Sequence, residues 1–244
     1  MNKSGKLNKK APVKTTANIP TWPRERDLAT YAKYTCVDFH KELSLGKTWI
    51  DIGCRTGKAM SETQKLYNAH LIGVNAHKID VLKGIESVFA EIPRDRSVYN
   101  NFKKSAHLLT DIYGAFTYDN DPIAALIYEA CLLQPQGKAV IISLEAKFGN
   151  RVNREELQAF FEMNLGRELT FQRFRTYSDN SKTPLNSLRI TIAGKGFSKY
   201  SLEDLLLKAG QLIGEPKKIR LLYRPPDHSV EIWKIVYKKP TIKK

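Results

Sequence analysis

The sequence predicts an α/β fold with a doubly wound sheet, mostly parallel and ending in an antiparallel C-terminal hairpin. The first observation is that strand patterns alternate with amphipathic helix patterns from Asp27 to Glu145. The second is a fully apolar strand, "KAVIISLE" at 138–145, of the kind found inside parallel sheets. The third is a glycine turn, "DIGCRTG" at 51–57, between a strand pattern and a helix pattern. Together they predict right-handed βαβ units with helices on both faces of the sheet.

The first half of the chain supplies the start of this alternation. A helix is predicted between the capping residue Asp27 and Gly46, because apolar residues recur there at helical spacing: Leu28, Ala32, Cys36, Phe39 and Leu43. Strands follow at "TWIDIG" and "HLIGVNAH", separated by a helix at "GKAMSETQKLYN". "HKIDVLKGIESVFAEI" predicts the next helix, and a third strand is expected either at "RSVYNN" or within "ESVFAEI".

The second half continues the alternation and then interrupts it. "AHLLTDI" predicts a strand, and "DPIAALIYEACLLQPQGK" predicts a helix capped by Asp121 with Pro122 in its first turn. After the apolar strand, a helix at 153–166 and two antiparallel strands, "LTFQRFRTY" and "SLRITIAG", are interpreted as an α+β insertion at about 148–198. "SLEDLLLKAG" resumes as a helix, and "KKIRLLY" and "SVEIWKIVYKK" complete the sheet as an antiparallel hairpin.

The net charge of +15 is concentrated at the two ends of the chain. Residues 1–26 carry a net charge of +6 and residues 217–244 carry +7, whereas residues 27–150 are neutral. Residues 1–26 are interpreted as a basic, disordered arm before a domain at 27–244. Basic arms attract RNA or other polyanions without reading their sequence, so these are the expected partners of the termini. A solvated tail that aids solubility is the alternative.

Several classes of protein are disfavoured by the composition. No apolar run approaches the roughly 20 residues that span a membrane, so no transmembrane segment is expected, and no secretory signal is visible at the N-terminus. The three cysteines, Cys36, Cys54 and Cys131, are odd in number and widely spaced, which predicts reduced thiols and a cytoplasmic location. The five histidines show no metal-ligand spacing, so no metal is expected.

The glycine turn indicates what kind of ligand it could approach. A dinucleotide site needs Gly-x-Gly-x-x-Gly, so that the backbone can touch a pyrophosphate. Here three residues separate Gly53 from Gly57, Arg55 is the middle one, and Asp51 precedes the turn. The carboxylate of Asp51 would repel a pyrophosphate and attract an ammonium group. A nicotinamide-dependent enzyme is therefore disfavoured.

These residues carry a resemblance to a known family. "IDIGCRTG" resembles motif I of the class I S-adenosylmethionine-dependent methyltransferases, which have a Rossmann-like fold. "LIGVNAH" is similar to their second strand, "LLTDIYGAF" to their fourth, and "LLQPQGKAVIISLE" to the approach to their fifth. "YSLEDLLLKAGQ" and the strand pair after it resemble their last helix and antiparallel hairpin. The resemblance covers about residues 27–147 and 199–238.

The resemblance implies a cofactor and the residues that hold it. The cofactor is S-adenosylmethionine, with S-adenosylhomocysteine as the product, and Asp51 would hold its ammonium group directly or through water. The implied contacts are Asp51, Gly53, Cys54, Arg55, Gly57, Asn75 and Asp111. Two residues depart from the family pattern: Arg55 replaces a glycine, and Asn75 replaces the acid that binds the ribose. Weaker cofactor binding is expected, because an amide lacks the charge that strengthens such a bond.

The resemblance also implies methyl transfer to an acceptor, which could be a small molecule, RNA or a protein. Asp111 and Tyr113, at the end of the fourth strand, are the catalytic candidates, although Asp111 could equally cap a turn. Arg173, Arg175 and Tyr177 share one strand face and are candidates for binding the acceptor. The alternative is a catalytically degenerate module of the same fold that binds nucleic acid through its basic arms.

Overall fold

A seven-stranded sheet forms the centre of the computed structural model, which describes residues 26–44, 46–145, 152–177, 184–196, 198–223 and 230–238. The strand order is β3-β2-β1-β4-β5-β7-β6. The strands of this sheet are β1 (Thr48–Ile52), β2 (His70–Asn75), β3 (Glu86–Phe89), β4 (Ala106–Ile112), β5 (Leu133–Leu144), β6 (Glu168–Tyr177) and β7 (Pro184–Ala193).

The pairing of the strands creates a switch point beside β1. β1 is parallel to both β2 and β4, and Asp51 lies opposite Gly73 on one side and Thr110 on the other. β3 and β5 extend the parallel part outward, and β7 then runs antiparallel between β5 and β6. The predicted fold class is therefore confirmed: the sheet is Rossmann-like, doubly wound and mostly parallel.

Helices cover both faces of this sheet. They are α1 (Leu28–Thr35), α2 (Phe39–Leu43), α3 (Lys58–Gln64), α4 (Ser97–Phe102), α5 (Ala115–Tyr118), α6 (Pro122–Leu132), α7 (Arg154–Leu165) and α8 (Leu202–Leu212). One core lies under α1 to α3 and includes Tyr31 and Trp49. The other lies under α6, α7 and α8 and includes Ile50 and Tyr128. Alternate residues of β1 enter opposite cores, as the pleat of a strand requires.

The positions of the antiparallel strands differ from the sequence interpretation. The two strands assigned to an insertion at about 148–198 are β6 and β7, and they complete the main sheet through ten paired positions between them and six between β5 and β7. The hairpin that was expected to complete it, β8 (Glu215–Tyr223) and β9 (Val230–Lys238), forms a separate two-stranded sheet. Apolar and polar residues alternate with a period of two in both strand pairs, so this pattern does not show which pair joins the main sheet. That depends on contacts between residues that are distant in sequence.

Two local predictions also need correction. The helix predicted over 77–92 does not form, and β3 occupies part of it, in "ESVFAEI", one of the two places expected for the third strand. Gly84 takes a φ of 88° just before β3, which is unsuited to a helix. The predicted helix between Asp27 and Gly46 is two helices, since Cys36 adopts a left-handed conformation with φ of 53° and Asp38 caps α2. Apart from Arg26, the predicted arm at 1–26 lies outside the described residues.

Within the part of the chain that the structure describes, no helix combines the length and apolar character needed to cross a membrane.

Candidate functional site

A cavity of about 700 Å³ opens where β1, β2 and β4 end. Its walls comprise Arg26, the turn after β1, and residues within 74–79, 90–94 and 113–119. Since β1 lies between β2 and β4, this is the switch point of the sheet. Open α/β sheets bind their ligands at such points, outside the carboxyl ends of the strands.

The turn after β1 holds Arg55 in a left-handed conformation, with φ of 56°. The Asn75 side chain brackets it: Oδ1 accepts a hydrogen bond from the Arg55 N–H at 2.8 Å, and Nδ2 donates to the Arg55 carbonyl at 3.0 Å. A left-handed conformation costs a residue with a side chain about 1–2 kcal/mol, which the two hydrogen bonds offset. Asn75 also donates to the sulfur of Cys54 at 3.2 Å. The Asn75 amide is thus hydrogen-bonded to the turn, whereas the resemblance implies that Asn75 contacts the ribose of the cofactor.

The two glycines of the turn are required by neighbouring protein atoms. Gly53 has a φ of 76°, and a Cβ there would lie 3.1 Å from the Cα of Gly114 in the loop after β4. Gly57 also has a φ of 76°, and its Cβ would lie 2.5 Å from Cδ1 of Ile85. The glycines therefore let the turn pack against the β4 loop and against Ile85. Gly53 lines the cavity, whereas Gly57 does not contribute to its described wall.

Asp51 lies beneath the cavity and outside its wall, with 1% of the residue exposed. The Tyr31 hydroxyl and the Thr110 hydroxyl each donate to its carboxylate at 2.6 Å. Burial raises the pKa of Asp51 to about 7, although the hydrogen bonds from Thr110 and Tyr31 lower it. Direct contact with an ammonium group, one of the two predicted modes, does not fit this position. The position does allow the Asp51 carboxylate to act electrostatically on a ligand in the cavity without touching it.

Asp111 is likewise buried behind the wall, at the end of β4. Its carboxylate accepts hydrogen bonds from the backbone N–H of Gly114 at 2.5 Å and of Phe116 at 2.8 Å. Burial raises its pKa, which these hydrogen bonds counteract. The carboxylate interacts with that of Glu129 on α6. This is the turn-capping arrangement that the sequence left open as the alternative to a catalytic role.

Tyr113 lines the cavity and follows β4 with a left-handed φ of 54°. Its hydroxyl lies 3.0 Å from the Ser187 hydroxyl, which lies 2.7 Å from that of Thr176. Burial raises the pKa of Tyr113, so its phenol stays protonated at neutral pH. Tyr113 can shape the cavity and donate or accept a hydrogen bond, but this setting does not favour a general base.

Arg26 brings a positive charge to the same end of the cavity. Its Nη1 donates to the Ile112 carbonyl at 2.6 Å, and its guanidinium lies 5.9 Å from the centre of the Tyr113 ring. Its charge lowers the pKa values of Asp51 and Asp111. In the sequence, Arg26 belongs to the predicted basic arm, and no functional role is expected for it. No motif marks it, because its contacts are with residues far along the chain.

The wall also carries a cluster of three charged side chains. Arg94 lies 3.5 Å from Glu91 and 3.8 Å from Asp119. Burial raises the pKa of Asp119. The wall includes apolar residues as well: Ile52, Val74, Ile79, Ala90, Ile92 and Ala115. The cavity therefore offers both charged groups and apolar surface to a ligand.

The structure brings some of the predicted site residues together and separates others. Four of them line the cavity: Gly53, Arg55, Asn75 and Tyr113. Cys54 is buried behind the turn, and burial raises the pKa of its thiol to about 12. Arg173 and Arg175 lie on the edge strand β6, away from the described wall, and Arg173 forms an ion pair with Glu145. Tyr177 ends β6, and its side chain lies outside the described part.

Comparisons with known proteins concern the fold. No family model matches the chain, and no curated protein matches it in sequence. The Burkholderia thailandensis 1,6-didemethyltoxoflavin-N1-methyltransferase, solved with bound 1,6-didemethyltoxoflavin and S-adenosylhomocysteine, is a similar structure. It has 13% identity and a TM-score of 0.46, and the match covers 64% of this chain and 75% of that one.

Two further solved structures are similar at the same level. Geranyl diphosphate methyltransferase in complex with S-adenosylmethionine has 15% identity and a TM-score of 0.44, with 68% of this chain and 84% of that one covered. The cyclase SpnF has 11% identity and a TM-score of 0.47, with 69% and 80% covered. At these identities the likeness extends to the fold alone, and it assigns neither a ligand nor an activity to this chain.

Proposed function

We propose that this chain is an S-adenosylmethionine-dependent methyltransferase whose acceptor is a small molecule, an RNA or a protein. The observation that carries the proposal is the cavity at the switch point, bordered by the glycine turn after β1. Its volume of about 700 Å³ falls within the range of roughly 300–1,000 Å³ that is usual for small-molecule sites. The resemblance of "IDIGCRTG" to motif I supports the choice of ligand.

The cavity wall supplies groups that suit the parts of this cofactor. In the proposal, the guanidinium of Arg26 binds the carboxylate of the amino-acid part, and the Gly53 turn lies beside it. The apolar surface that includes Ile92 and Ala115 packs against the adenine. Glu91 and Asp119 provide acceptors for hydroxyl or amino groups of the cofactor.

The position of Asp51 and Asn75 bears on the expected affinity. Asp51 lies outside the described wall and is bound by two hydroxyls, and the amide of Asn75, although it lines the cavity, is hydrogen-bonded to the turn. The ammonium group and the ribose therefore lose the charge-assisted bonds that the family pattern implies. We expect micromolar affinity for the cofactor product.

The bound cofactor would supply an electrophilic methyl group on a sulfonium. The contribution of the protein would be to hold the cofactor and the acceptor in line, which can supply much of a rate enhancement. In the proposal, Tyr113 shapes the wall beside the reacting groups, and Asp111 acts through the loop that it caps. Arg173, Arg175 and Tyr177 remain proposals for acceptor contacts, and their place on β6 suits an extended or polymeric acceptor better than one enclosed in the cavity.

We propose a reducing, cytoplasmic compartment for this activity. Cys36, Cys54 and Cys131 form no disulfide with one another, as is usual for proteins kept in a reducing environment.

The role of Arg26 allows a direct test of how the cofactor would bind. Arg26→Ala should weaken binding of S-adenosylhomocysteine about tenfold or more, because a charge-assisted bond to the carboxylate is lost. The same variant should bind 5′-methylthioadenosine, which lacks the amino acid, with the affinity of the wild type. Lys33→Ala on α1 is the matched control, since Lys33 is absent from the described wall. Equal losses for both ligands, or none for either, would contradict the proposed orientation.

A second candidate function is a degenerate module that binds nucleic acid through the basic ends. Two observations favour this function. Asp51 and Asn75 form hydrogen bonds within the protein, and the termini carry net charges of +6 and +7. Deleting residues 1–20 should then weaken binding to a single-stranded RNA and flatten its salt dependence, while leaving binding of S-adenosylhomocysteine intact. If the deletion leaves the salt dependence of RNA binding unchanged, this function would be contradicted for the N-terminal segment.

A further inference from the structure

A second group of basic and aromatic side chains lies at the end of the sheet opposite to the cavity. A recess of about 30 Å³ opens there between α4, the end of α6 and the segment after β7, and its lining includes Tyr99, Lys103, Lys104 and Tyr200. Lys104 precedes β4 and Tyr113 follows it, so the seven residues of β4 separate the recess from the cavity. At about 3.3 Å per residue this separation is roughly 20 Å. The recess is therefore distinct from the proposed cofactor site.

Two tyrosine rings hold three lysine ammonium groups at this recess. Nζ of Lys208 lies 4.4 Å from the centre of the Tyr200 ring, and Nζ of Lys199 lies 5.3 Å from the same centre. Nζ of Lys103 lies 5.8 Å from the centre of the Tyr99 ring. Because the negative face of an aromatic ring attracts a cation, the rings bring like charges together on one surface and restrain their flexible side chains.

These three ammonium groups lack an acidic partner at ion-pair distance. Within the described part of the chain, no carboxylate oxygen lies within 4.0 Å of Nζ of Lys103, Lys199 or Lys208. Glu203, an acidic residue of α8 in the same region, lies 3.6 Å from Arg96, which balances its charge. The positive charge of the three lysines is therefore open to an anion from outside the protein.

A buried arginine adds to the positive potential of this surface. Arg167 lines the recess, and 2% of the residue is exposed. Its guanidinium donates hydrogen bonds of 2.7–3.2 Å to the backbone carbonyls of Leu133, Gln134, Gly137 and Gly194. These carbonyls satisfy its donors without cancelling its net charge, and the protein interior screens that charge less than water does.

We propose that a lysine–tyrosine surface, consisting of Tyr99, Lys103, Lys104, Lys199, Tyr200 and Lys208, binds the phosphate backbone of single-stranded RNA. The proposal goes beyond the proposed function, because the residues of this surface are separate from those of the described cavity wall. It also differs from the second candidate function, in which the basic ends of the chain hold nucleic acid.

The chemistry of the surface favours an extended polyanion. Lysines that pair with phosphates, combined with aromatic side chains, are typical of surfaces that bind single strands. The recess of about 30 Å³ is far below the roughly 300–1,000 Å³ of small-molecule sites, so a ligand would lie across it and would not be enclosed. α8, which carries Lys208, leads directly into residues 217–244, which have a net charge of +7. A polymer can interact with more of this charge than a single phosphate can.

The test measures binding of a fluorescently labelled 20-nucleotide oligouridylate to the full chain over a range of salt concentrations. The triple variant Lys103→Gln, Lys199→Gln and Lys208→Gln should bind at least tenfold more weakly than the wild type at 0.1 M salt. The slope of log Kd against log salt should fall by about 2, because each lost phosphate contact contributes about 0.7 for a single strand. Affinity and slope that are the same as in the wild type would overturn the proposal.

A matched triple variant controls for the change in net charge. Lys33→Gln, Lys65→Gln and Lys83→Gln remove the same three charges at exposed positions that are absent from the described lining of the recess. This control should lose less than threefold in affinity. Equal losses in the two triple variants would overturn the proposal, because binding would then follow net charge alone. Thermal unfolding at the temperature of the wild type shows that both variants are folded.

Two further probes separate RNA from other anions. Phosphatidylcholine vesicles with about 30% phosphatidylserine present an anionic lipid surface, and inorganic phosphate presents the same group without a polymer. If only the binding of vesicles or of inorganic phosphate depends on the three lysines, RNA is overturned as the partner. Binding of S-adenosylhomocysteine should be unchanged in both triple variants. If no protein binds S-adenosylhomocysteine but the oligouridylate results agree, the proposed function fails and the lysine–tyrosine surface stands.

Discussion

At Arg55 the chain places a large cation in a backbone conformation that favours glycine, and Asn75 makes this possible. The amide of Asn75 satisfies both the N–H and the carbonyl of Arg55. Only a side chain with a donor and an acceptor can do this, which excludes the acid that the family pattern places here. The two departures from the pattern therefore compensate each other physically.

This pairing predicts the result of restoring the acid. Asn75→Asp should lower the free energy of unfolding by about 2–3 kcal/mol, because a buried carboxylate would face the Arg55 carbonyl without a donor. It should not improve affinity for S-adenosylhomocysteine. Chemical denaturation and calorimetry measure the two effects, with Asn101→Asp at an exposed position of α4 as the matched control. Tighter binding without loss of stability would contradict this account of Asn75.

The sequence predicted the types of residue near the site better than their roles. Gly53, Arg55, Asn75 and Tyr113 could be found because they follow strands, and the ends of neighbouring parallel strands meet at one edge. The partners of Asp51 and Asn75 could not be found in the same way. Hydrogen bonds across 20 or more residues, such as that from Tyr31 to Asp51, leave no local pattern.

At the level of elements, the site is assembled by two loops that touch through glycines. The turn after β1 and the loop after β4 meet at Gly53 and Gly114, just beyond the ends of these neighbouring parallel strands. The absence of side chains at both positions lets the backbones approach closely. The relative position of these two cavity-lining segments therefore depends on this contact.

Gly53→Ala should lower the free energy of unfolding by about 1–3 kcal/mol, since it adds strain at a φ of 76° and a Cβ 3.1 Å from Gly114. Gly210→Ala in α8 is the matched control, because nothing lies within 4 Å of its Cβ position. The control should be neutral or stabilising by up to about 1 kcal/mol. Denaturant unfolding measures the free energy of unfolding of the two variants. Equal effects of the two substitutions would contradict the close contact between Gly53 and Gly114.

Helices and strands could be predicted where the sequence patterns that define them are local. The helix α6 has the capping residue that the sequence indicated, Asp121. The helices predicted at 153–166 and 201–210 form as α7 and α8, which Asn153 and Ser201 cap. The assignment of β6 and β7 to the main sheet was not predictable in this way. Their period of two is the same as that of β8 and β9, and the pairing of β7 with β5 spans more than 40 residues.

At the scale of the whole molecule, buried carboxyl groups tie stability to pH. The pKa values of Asp51 and Glu129 are raised in the folded state by burial. A folded protein that binds more protons than the unfolded chain loses stability as the pH rises. For Asp51, with a pKa raised from 3.8 to about 7, this loss occurs between about pH 4 and pH 7.

Replacing Asp51 by Asn should therefore reduce the fall in unfolding free energy between pH 4 and pH 7, by an amount on the order of 4 kcal/mol. Denaturant titrations at pH 4, 5.5 and 7 measure this slope. The exposed Asp80→Asn variant serves as the control, and it should keep the slope of the wild type. If Asp51→Asn and the wild type have the same slope, this would contradict the claim that burial raises the pKa of Asp51.

The central claim is that the cavity at the ends of β1, β2 and β4 binds a sulfonium amino acid nucleoside. Isothermal titration of the full chain with S-adenosylhomocysteine tests it most directly, with NAD as the competing ligand. The account predicts one site of micromolar affinity for S-adenosylhomocysteine and no measurable binding of NAD. Binding of NAD alone, or of neither ligand at millimolar concentration, would contradict it.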